Sequence, residues 1–144
     1  MTLAKQKSLS GHCLCGAVTI RIEGEFIPRT GACHCHMCQR WTGGLFLCFH
    51  AGHDAVHVDG PVKIHPSSDF AERAFCTECG THLWMRDTGA TAESYDLMPG
   101  LFAESSDWPL RSEIYIDQAM KSVALKGDHP RLTAAEYESE YPHL

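Results

Sequence analysis

The segment Cys33–Cys38 holds the residues of this sequence that are best suited to chemistry. Three cysteines fall within six residues, in the order Cys-His-Cys-His-Met-Cys. Thiols crowded in this way are costly to bury as inert side chains, but a soft cation such as Zn²⁺ takes them as thiolate ligands. A structural zinc site has four protein ligands, whereas a catalytic site keeps one position for water or substrate. Cys33, Cys35 and Cys38 therefore predict an open, catalytic zinc site.

The fourth ligand of this site is left open by the sequence. His34, His36 and Cys48 are the nearby candidates, and any of them would turn the site into a second structural zinc. His36 could instead hydrogen-bond a substrate or face water. Cys48 lies in an apolar run, Leu45–Phe49, which favours packing over metal binding.

Four further cysteines form two pairs. Cys13 and Cys15 come early, and Cys76 and Cys79 form a Cys-x-x-Cys-Gly pattern in which Gly80 lets the backbone turn left-handed past the second sulfur. Four sulfurs in two pairs predict a closed, structural zinc. Two separate metals, or a redox Cys-x-x-Cys, are the alternatives. A disulfide framework is disfavoured, because eight cysteines in 144 residues fall below the roughly 8–10% typical of such scaffolds.

Charge and hydropathy exclude several classes of partner. The net charge of −6 gives no attraction for nucleic acid or for anionic lipid, both of which favour basic surfaces. No apolar run approaches the roughly 18 residues of a membrane span, and no signal peptide is evident. We expect a cytoplasmic protein with one domain over residues 1–144, a flexible N-terminus at 1–10 and a C-terminal tail at 127–144.

Arginines lie beside the cysteine motifs of this acidic chain, at Arg40, Arg73 and Arg86. The planar guanidinium suits a carboxylate-bearing ligand, although a surface ion pair is the plain alternative for each. Thr42 and Gly43 could offer backbone N–H groups to the same ligand. We predict Arg40, Thr42 and Gly43 as substrate-binding residues.

The elements that must position these residues are predicted to be mostly strands. Apolar residues alternate with polar ones, or form short apolar runs bounded by turn residues, in several segments. The predicted strands are 17–23, 45–49, 56–58 and 62–64 around a hairpin or tight turn at Gly60-Pro61, 82–86, 95–102 and 114–116. Only 133–141 resembles a helix, with Thr133 as N-cap and Glu136 three residues on.

Three motifs in order resemble the glutathione-dependent formaldehyde-activating enzyme family, also called the Gfa/CENP-V family. They are Gly11-x-Cys13-x-Cys15-Gly16-x-Val18, Cys33-His34-Cys35-x-x-Cys38-x-Arg40-x-Thr42-Gly43 and Arg73-x-Phe75-Cys76-x-x-Cys79-Gly80-Thr81-x-Leu83. The resemblance implies a mainly β, Mss4-like (β-tent) fold of several small twisted antiparallel sheets stapled by zinc. It also implies two zinc ions per chain, one on Cys13, Cys15, Cys76 and Cys79, and a second on Cys33, Cys35 and Cys38.

The same resemblance implies a carbon–sulfur lyase that combines glutathione and formaldehyde into S-(hydroxymethyl)glutathione. The C-terminal segment departs from the family pattern, because Pro109-Leu110-Arg111-Ser112-Glu113-Ile114 stands where members often carry Pro-x-x-His-Ile followed by a Trp. A non-catalytic, zinc-ribbon-like binding module with two structural zincs is the alternative. A sulfoxide reductase would need a nucleophile outside the zinc ligands, for which Cys48 is the candidate.

Overall fold

The structure is a computed structural model that describes residues 8–89 and 92–142. The helices are α1 (His36–Thr42) and α2 (Ala134–Glu140), and short 3₁₀ turns lie at His53–Ala55, Pro99–Leu101, Ala103–Asp107 and Ile116–Gln118. The strands are, in chain order, β1 (Leu9–His12), β2 (Thr19–Ile22), β3 (Thr30–Cys33), β4 (Phe46–Gly52), β5 (Val56–Asp59), β6 (Val62–Pro66), β7 (Ala71–Cys76), β8 (His82–Asp87), β9 (Ser94–Leu97), β10 (Leu110–Ile114) and β11 (Arg131–Leu132). The chain is mainly β, as predicted.

Contacts divide the chain into two compact units. Unit 1 comprises 1–28 and 48–108, and unit 2 comprises 29–47 and 109–144. The single domain over 1–144 stays a prediction. Of the N-terminus predicted to be flexible, residues 1–7 lie outside the described residues, whereas Leu9 and Ser10 already belong to β1.

Unit 1 is built from antiparallel strands. β2 pairs with β1 on one side and with β5 on the other, and a second set runs in the order β4-β9-β8-β7-β6. In β2 the alternation predicted from the sequence is confirmed, because Ile20 and Ile22 are buried while Thr19 and Arg21 are exposed.

The core of unit 1 is apolar and rich in aromatic rings. Phe49 packs edge-on against Phe102 and Trp108, with ring centroids 5.4 and 4.8 Å apart. Among the described residues, fifteen buried ones form this core, and they include two cysteines, Cys13 and Cys76. Two cysteines of the predicted structural site are therefore part of the packed interior of unit 1.

The hairpin predicted around Gly60-Pro61 is wrong. β5 pairs with β2 and β6 pairs with β7, so the chain leaves one sheet and enters another at this point. Gly60 has a φ of 121°, and a Cβ there would lie 2.2 Å from the Ala17 carbonyl oxygen. The turn signal was real, but it marks a change of sheet in which the backbone passes close to Ala17.

Unit 2 differs from the predicted antiparallel pattern. β10 pairs in parallel with β3 and with β11. The predicted strand at 114–116 is wrong, because β10 ends at Ile114 and the next residue, Tyr115, has a φ of 57° in the left-handed region. The predicted tail at 127–144 contains β11 and α2.

The two helices show where short-range signals succeed and fail. α2 begins after Thr133, whose hydroxyl accepts from the Glu136 amide while the Glu136 carboxylate accepts from the Thr133 amide, as the predicted capping pattern requires. α1, in contrast, was not predicted. Each has seven residues, and within 8–89 and 92–142 no helix is long and apolar enough to cross a membrane.

Candidate metal centres

The four-cysteine cluster consists of Cys13, Cys15, Cys76 and Cys79, and all of it lies in unit 1. Its four sulfurs are within 4.8 Å of one another. The Sγ atoms of Cys13 and Cys15 are 3.6 Å apart, and those of Cys15 and Cys76 are 3.9 Å apart. Tetrahedral zinc with bonds of about 2.3 Å spaces its sulfurs about 3.8 Å apart. The donor set and its spacing therefore fit one zinc ion.

Two tight turns aim these sulfurs inward. Cys13–Cys15 forms a turn in which the Gly16 amide donates to the Cys13 carbonyl at 3.1 Å. Gly16 and Gly80 have φ of 80° and 76°, which confirms the left-handed turn expected at Gly80. Backbone amides donate to three of the sulfurs: Val18 to Cys13 at 3.3 Å, Ala17 to Cys15 at 3.5 Å and Glu78 to Cys76 at 3.4 Å.

The protonation of the four-cysteine cluster shows why a cation suits it. A hydrogen bond with the Thr81 hydroxyl is the main reason why the pKa of Cys79 falls to about 5. The Ala17 amide lowers the pKa of Cys15, but burial and the other three sulfurs outweigh it and raise that pKa to about 12. One thiolate thus hinders ionisation of its neighbour. A divalent cation removes that conflict, because thiolates are the form that binds metal.

The three-cysteine cluster consists of Cys33, Cys35 and Cys38, and all of it lies in unit 2. Cys33 ends β3, Cys35 is the N-cap of α1, and Cys38 is buried within α1. The Cys38 amide donates to the Cys35 sulfur at 3.3 Å. The three sulfurs lie within 4.8 Å of one another. Hydrogen bonds with Cys35 and Cys38, together with burial, raise the pKa of the Cys33 thiol far above its ordinary value, so this donor set also fits a cation.

The candidates for a fourth ligand do not belong to the group of close ligand atoms that contains Cys33, Cys35 and Cys38. His34 is buried and its Nε2 donates to the Glu113 carboxylate at 2.7 Å. His36 is exposed at the start of α1, and Cys48 is a partly buried residue of β4. Among the described residues, the group of close ligand atoms here contains three sulfurs. All eight cysteines lie in the described part of the chain, and none forms a disulfide.

Glu113 is a functional candidate that the sequence did not reveal. Its side chain is 1% exposed and accepts from three groups, namely His34 Nε2 at 2.7 Å, His129 Nε2 at 2.6 Å and Arg131 Nε at 3.0 Å. Burial alone would raise the pKa of the Glu113 carboxyl, but the hydrogen bonds from His129 and His34 outweigh it and lower that pKa. Glu113 therefore anchors the segment between Cys33 and Cys35 through a buried charge.

A cavity of about 260 Å³ lies along α1, lined by His36, Gln39, Arg40, Gly43, Gly44 and Met120. Arg40 and Gly43, both predicted to bind substrate, line it. Thr42 has a different local role, since its hydroxyl donates to the Cys38 carbonyl at 3.0 Å and accepts from the Gly44 amide at 3.1 Å. Gly43 ends α1 with a φ of 84°. The helix that contains Cys38 and is capped by Cys35 thus also borders a cavity lined by the cation Arg40 and by apolar residues.

The other two arginines belong to unit 1. Arg73 is 2% exposed in β7, and burial followed by the Arg73 charge lowers the pKa of His82. Arg86 Nε lies 3.2 Å from the Glu72 carboxylate, and its guanidinium stacks over the Tyr95 ring at 4.7 Å. Of the two alternatives given for this arginine, a carboxylate-bearing ligand or an ion pair, the structure shows the ion pair for Arg86.

Tyr115 is a second residue that sequence patterns did not single out. Among the described residues it is the one non-glycine with positive φ, a conformation that costs about 1–3 kcal/mol and is concentrated at functional sites. Its hydroxyl donates to Glu138 Oε2 at 2.8 Å. Burial first, then Glu138, and then the charges of Cys35 and Cys33 raise its pKa. Tyr115 is therefore within electrostatic range of the three-cysteine cluster.

Known proteins resemble this chain in sequence and in fold. Residues 8–118 match the family described as glutathione-dependent formaldehyde-activating enzyme. A Schizosaccharomyces pombe protein described as an uncharacterised lyase is 32% identical over 108 residues, which are 74% of this chain and 77% of that protein. A Halomonas elongata protein, provisionally named a glutathione-dependent formaldehyde-activating enzyme, is 30% identical over 88 residues, 55% of this chain and 56% of its own.

The fold is also found among solved structures. The crystal structure of a Rhodobacter sphaeroides protein superposes with a TM-score of 0.53 at 19% identity, over 85% of this chain and 99% of that one. At this identity the likeness concerns the fold alone. It agrees with the mainly β, Mss4-like fold expected from the motifs.

Proposed function

Because the chain belongs to the family of glutathione-dependent formaldehyde-activating enzymes, we propose that it is a carbon–sulfur lyase acting on a small thiol–aldehyde adduct. The substrate we propose is S-(hydroxymethyl)glutathione, formed reversibly from glutathione and formaldehyde. The observation that carries the proposal is the three-cysteine cluster, which brings three sulfurs within 4.8 Å of one another. A closed structural site would need a fourth protein ligand.

The two clusters divide the metal chemistry between them. We propose that Cys13, Cys15, Cys76 and Cys79 hold a structural zinc, and that Cys33, Cys35 and Cys38 hold a second zinc with a position left for substrate. A metal at the second site would stabilise a substrate thiolate or polarise an aldehyde oxygen. Three thiolates outweigh the two positive charges of Zn²⁺ and so weaken its Lewis acidity. This favours binding of a substrate thiolate over polarisation of an aldehyde oxygen.

The protein's own residues hold and orient the substrate in this proposal. Arg40 on α1 offers its guanidinium to a carboxylate of glutathione, for which its fork geometry is suited. Gly43 lines the cavity at the end of the same helix, although its own amide donates to the Gln39 carbonyl at 2.7 Å, and Thr42 stays a predicted contact. Glu113, through its bond to His34, keeps the segment between Cys33 and Cys35 in one orientation.

The setting proposed for this activity is the cytoplasm, with glutathione as the small-molecule partner and with neither nucleic acid nor membrane bound. The net charge of −6 supports the exclusion of nucleic acid, which attracts basic surfaces. The rival is a non-catalytic binding module in which both metals are structural. Binding of glutathione at the second metal separates the two, because a closed shell has no position for a thiol.

The direct test compares wild type with Cys35→Ala. We measure zinc per chain and, by exchange NMR, the rate at which glutathione and formaldehyde interconvert with their adduct. We expect two zinc ions and accelerated exchange in wild type, and one zinc and no acceleration in the variant. A variant that loses one zinc yet keeps the full rate would refute the proposal.

A matched control is Cys48→Ala, which removes a cysteine outside both clusters. We expect it to keep both zinc ions and the full exchange rate. If instead this variant lost a sulfoxide reductase activity present in wild type, the reductase alternative would replace the lyase.

A further inference from the structure

The residues on either side of Tyr115 are bonded to the metal segment of unit 2, which comprises residues 33–38. Tyr115 follows Ile114 of β10, which is in register with Cys33 of β3. Two backbone amides of the metal segment donate to residues on either side of Tyr115: His34 to the Ile114 carbonyl at 3.0 Å and His36 to Gln118 Oε1 at 3.2 Å. Cys35 is the residue between those two amides, so the chain around Tyr115 runs beside Cys35.

A side chain of α1 bonds both to the metal segment and to the turn that follows Tyr115. Gln39 Nε2 donates both to the His34 carbonyl at 2.7 Å and to the Gln118 carbonyl at 2.8 Å. One amide group therefore fastens the 3₁₀ turn after Tyr115 to the start of the metal segment. The left-handed backbone of Tyr115, with a φ of 57°, is held in place by contacts on both sides.

The phenol of Tyr115 has a fixed donor direction. Its hydroxyl is bonded to Glu138 Oε2 on α2 at 2.8 Å, and its ring lies 5.8 Å from the Tyr137 ring. A phenol oxygen that donates its only proton still has lone pairs with which to accept a hydrogen bond. Because the phenol already donates its hydrogen bond to Glu138, this oxygen can take part in a further hydrogen bond as an acceptor.

We propose that Tyr115 contacts substrate: its phenol oxygen accepts a hydrogen bond from the hydroxyl group of the thiol–aldehyde adduct bound at the three-cysteine cluster. Glu138 is the positioning residue that fixes the direction of the phenol. This inference rests on the proposed function. Neither glutathione's thiol nor unhydrated formaldehyde carries that hydroxyl, so Tyr115 distinguishes the adduct from the two components that it forms from.

The variant Tyr115→Phe tests this, since it removes one oxygen atom and keeps the ring. A neutral hydrogen bond is worth about 0.5–1.5 kcal/mol, so kcat/KM for breakdown of S-(hydroxymethyl)glutathione should fall about three- to tenfold. The affinity for S-methylglutathione, which has the adduct's shape without its hydroxyl, should stay at the wild-type value in calorimetry. Zinc per chain should also be unchanged.

Two further variants separate a specific contact from general damage. Glu138→Gln keeps an acceptor oxygen for the phenol and should retain most of kcat/KM, whereas Glu138→Ala should lose part of it. Tyr141→Phe removes the same atom from an exposed tyrosine and should behave as wild type.

Each outcome decides the matter. An unchanged kcat/KM in Tyr115→Phe, or an equal loss of affinity for S-methylglutathione, overturns the role of Tyr115 while the proposed function stands. A wild-type protein that fails to accelerate exchange overturns the proposed function and this inference together.

Discussion

The two cysteine clusters are assembled by the chain in different ways. The four-cysteine cluster joins segments that are about sixty residues apart, since Cys15 and Cys76 are separated by 61 positions. Two of its members are fully buried in the apolar core of unit 1. The three-cysteine cluster comes from six consecutive residues of unit 2, and the buried residues of that unit include the polar side chains of His34 and Glu113.

This difference indicates that the four-cysteine cluster serves the stability of the fold and that the three-cysteine cluster does not. A metal that ties distant segments of an apolar core together contributes directly to folding. A local cluster closes only a short loop, whose closure entropy is small, so a metal there would add little to stability. The polar groups around it, which cost free energy to bury, are better explained by orientation of the site than by stability.

The largest expected effect is on the stability of unit 1. Cys76→Ser removes a ligand of the four-cysteine cluster, and because structural zinc contributes on the order of 10 kcal/mol to folding, we expect a loss of at least about 5 kcal/mol in the free energy of unfolding. Urea denaturation measures it. Cys33→Ser is the matched variant in the other cluster and should cost far less. Equal losses in the two variants would remove the distinction between the clusters.

The next effect concerns the buried charge of unit 2. Glu113→Gln leaves His34, His129 and Arg131 without their carboxylate, so we expect a loss of about 3 kcal/mol at neutral pH. Because the folded pKa of Glu113 is below its ordinary 4.5, this contribution is present above that pH and disappears as pH falls through the folded pKa.

The pH dependence provides the check on that explanation. The difference in unfolding free energy between wild type and Glu113→Gln, measured by urea denaturation from pH 7 downward, should shrink below pH 4.5. A difference that stayed constant with pH would mean that shape rather than charge sets the role of Glu113.

A smaller effect is expected at the cavity along α1. Arg40→Ala removes the guanidinium proposed to bind a carboxylate, and a charged hydrogen bond worth about 1.5 kcal/mol corresponds to about a tenfold rise in KM for glutathione. Steady-state kinetics measures it. Arg21→Ala, which removes an exposed arginine paired with Glu23, is the control, and a KM unchanged by Arg40→Ala would exclude Arg40 from the substrate site.

The smallest effect concerns α2, the C-terminal helix whose Glu138 accepts the hydrogen bond from Tyr115. Thr133→Ala removes the N-cap of α2 and should lower the free energy of unfolding by about 1 kcal/mol. Thermal denaturation detects this change. Thr133→Ser, which keeps the capping oxygen, should be close to wild type, and a loss as large as that of the alanine variant would mean that the methyl group matters more than the cap.

Much of this molecule could be predicted from local sequence patterns. The family is confirmed, as are the mainly β fold, the strand at Ile20 and Ile22 and the cap at Thr133, because each depends on motif spacing, periodicity or a side chain bonding a nearby backbone group. The cysteine sets predicted to share a metal are also those whose sulfurs lie close together.

The features that were missed depend on other signals. α1 is seven residues long and its N-cap is Cys35 rather than Ser, Thr, Asp or Asn, so its start has no ordinary signature. Its end at Gly43, a left-handed glycine cap, is an ordinary helix signal, but without a start it does not define a helix. The bonds of Glu113 to His34 and of Tyr115 to Glu138 span 79 and 23 positions. No short-range pattern specifies contacts of that kind.

The central claim, that one cluster is closed and the other open, is tested most directly by zinc X-ray absorption of the metal-loaded protein with and without glutathione. With four sulfurs on one zinc and three on the other, we predict about 3.5 sulfurs per zinc in the free protein. The value should rise to about 4 when the thiol of glutathione becomes the fourth ligand of the second zinc. A value of about 3.5 that glutathione does not change, or a value of 4 before it is added, would contradict the account.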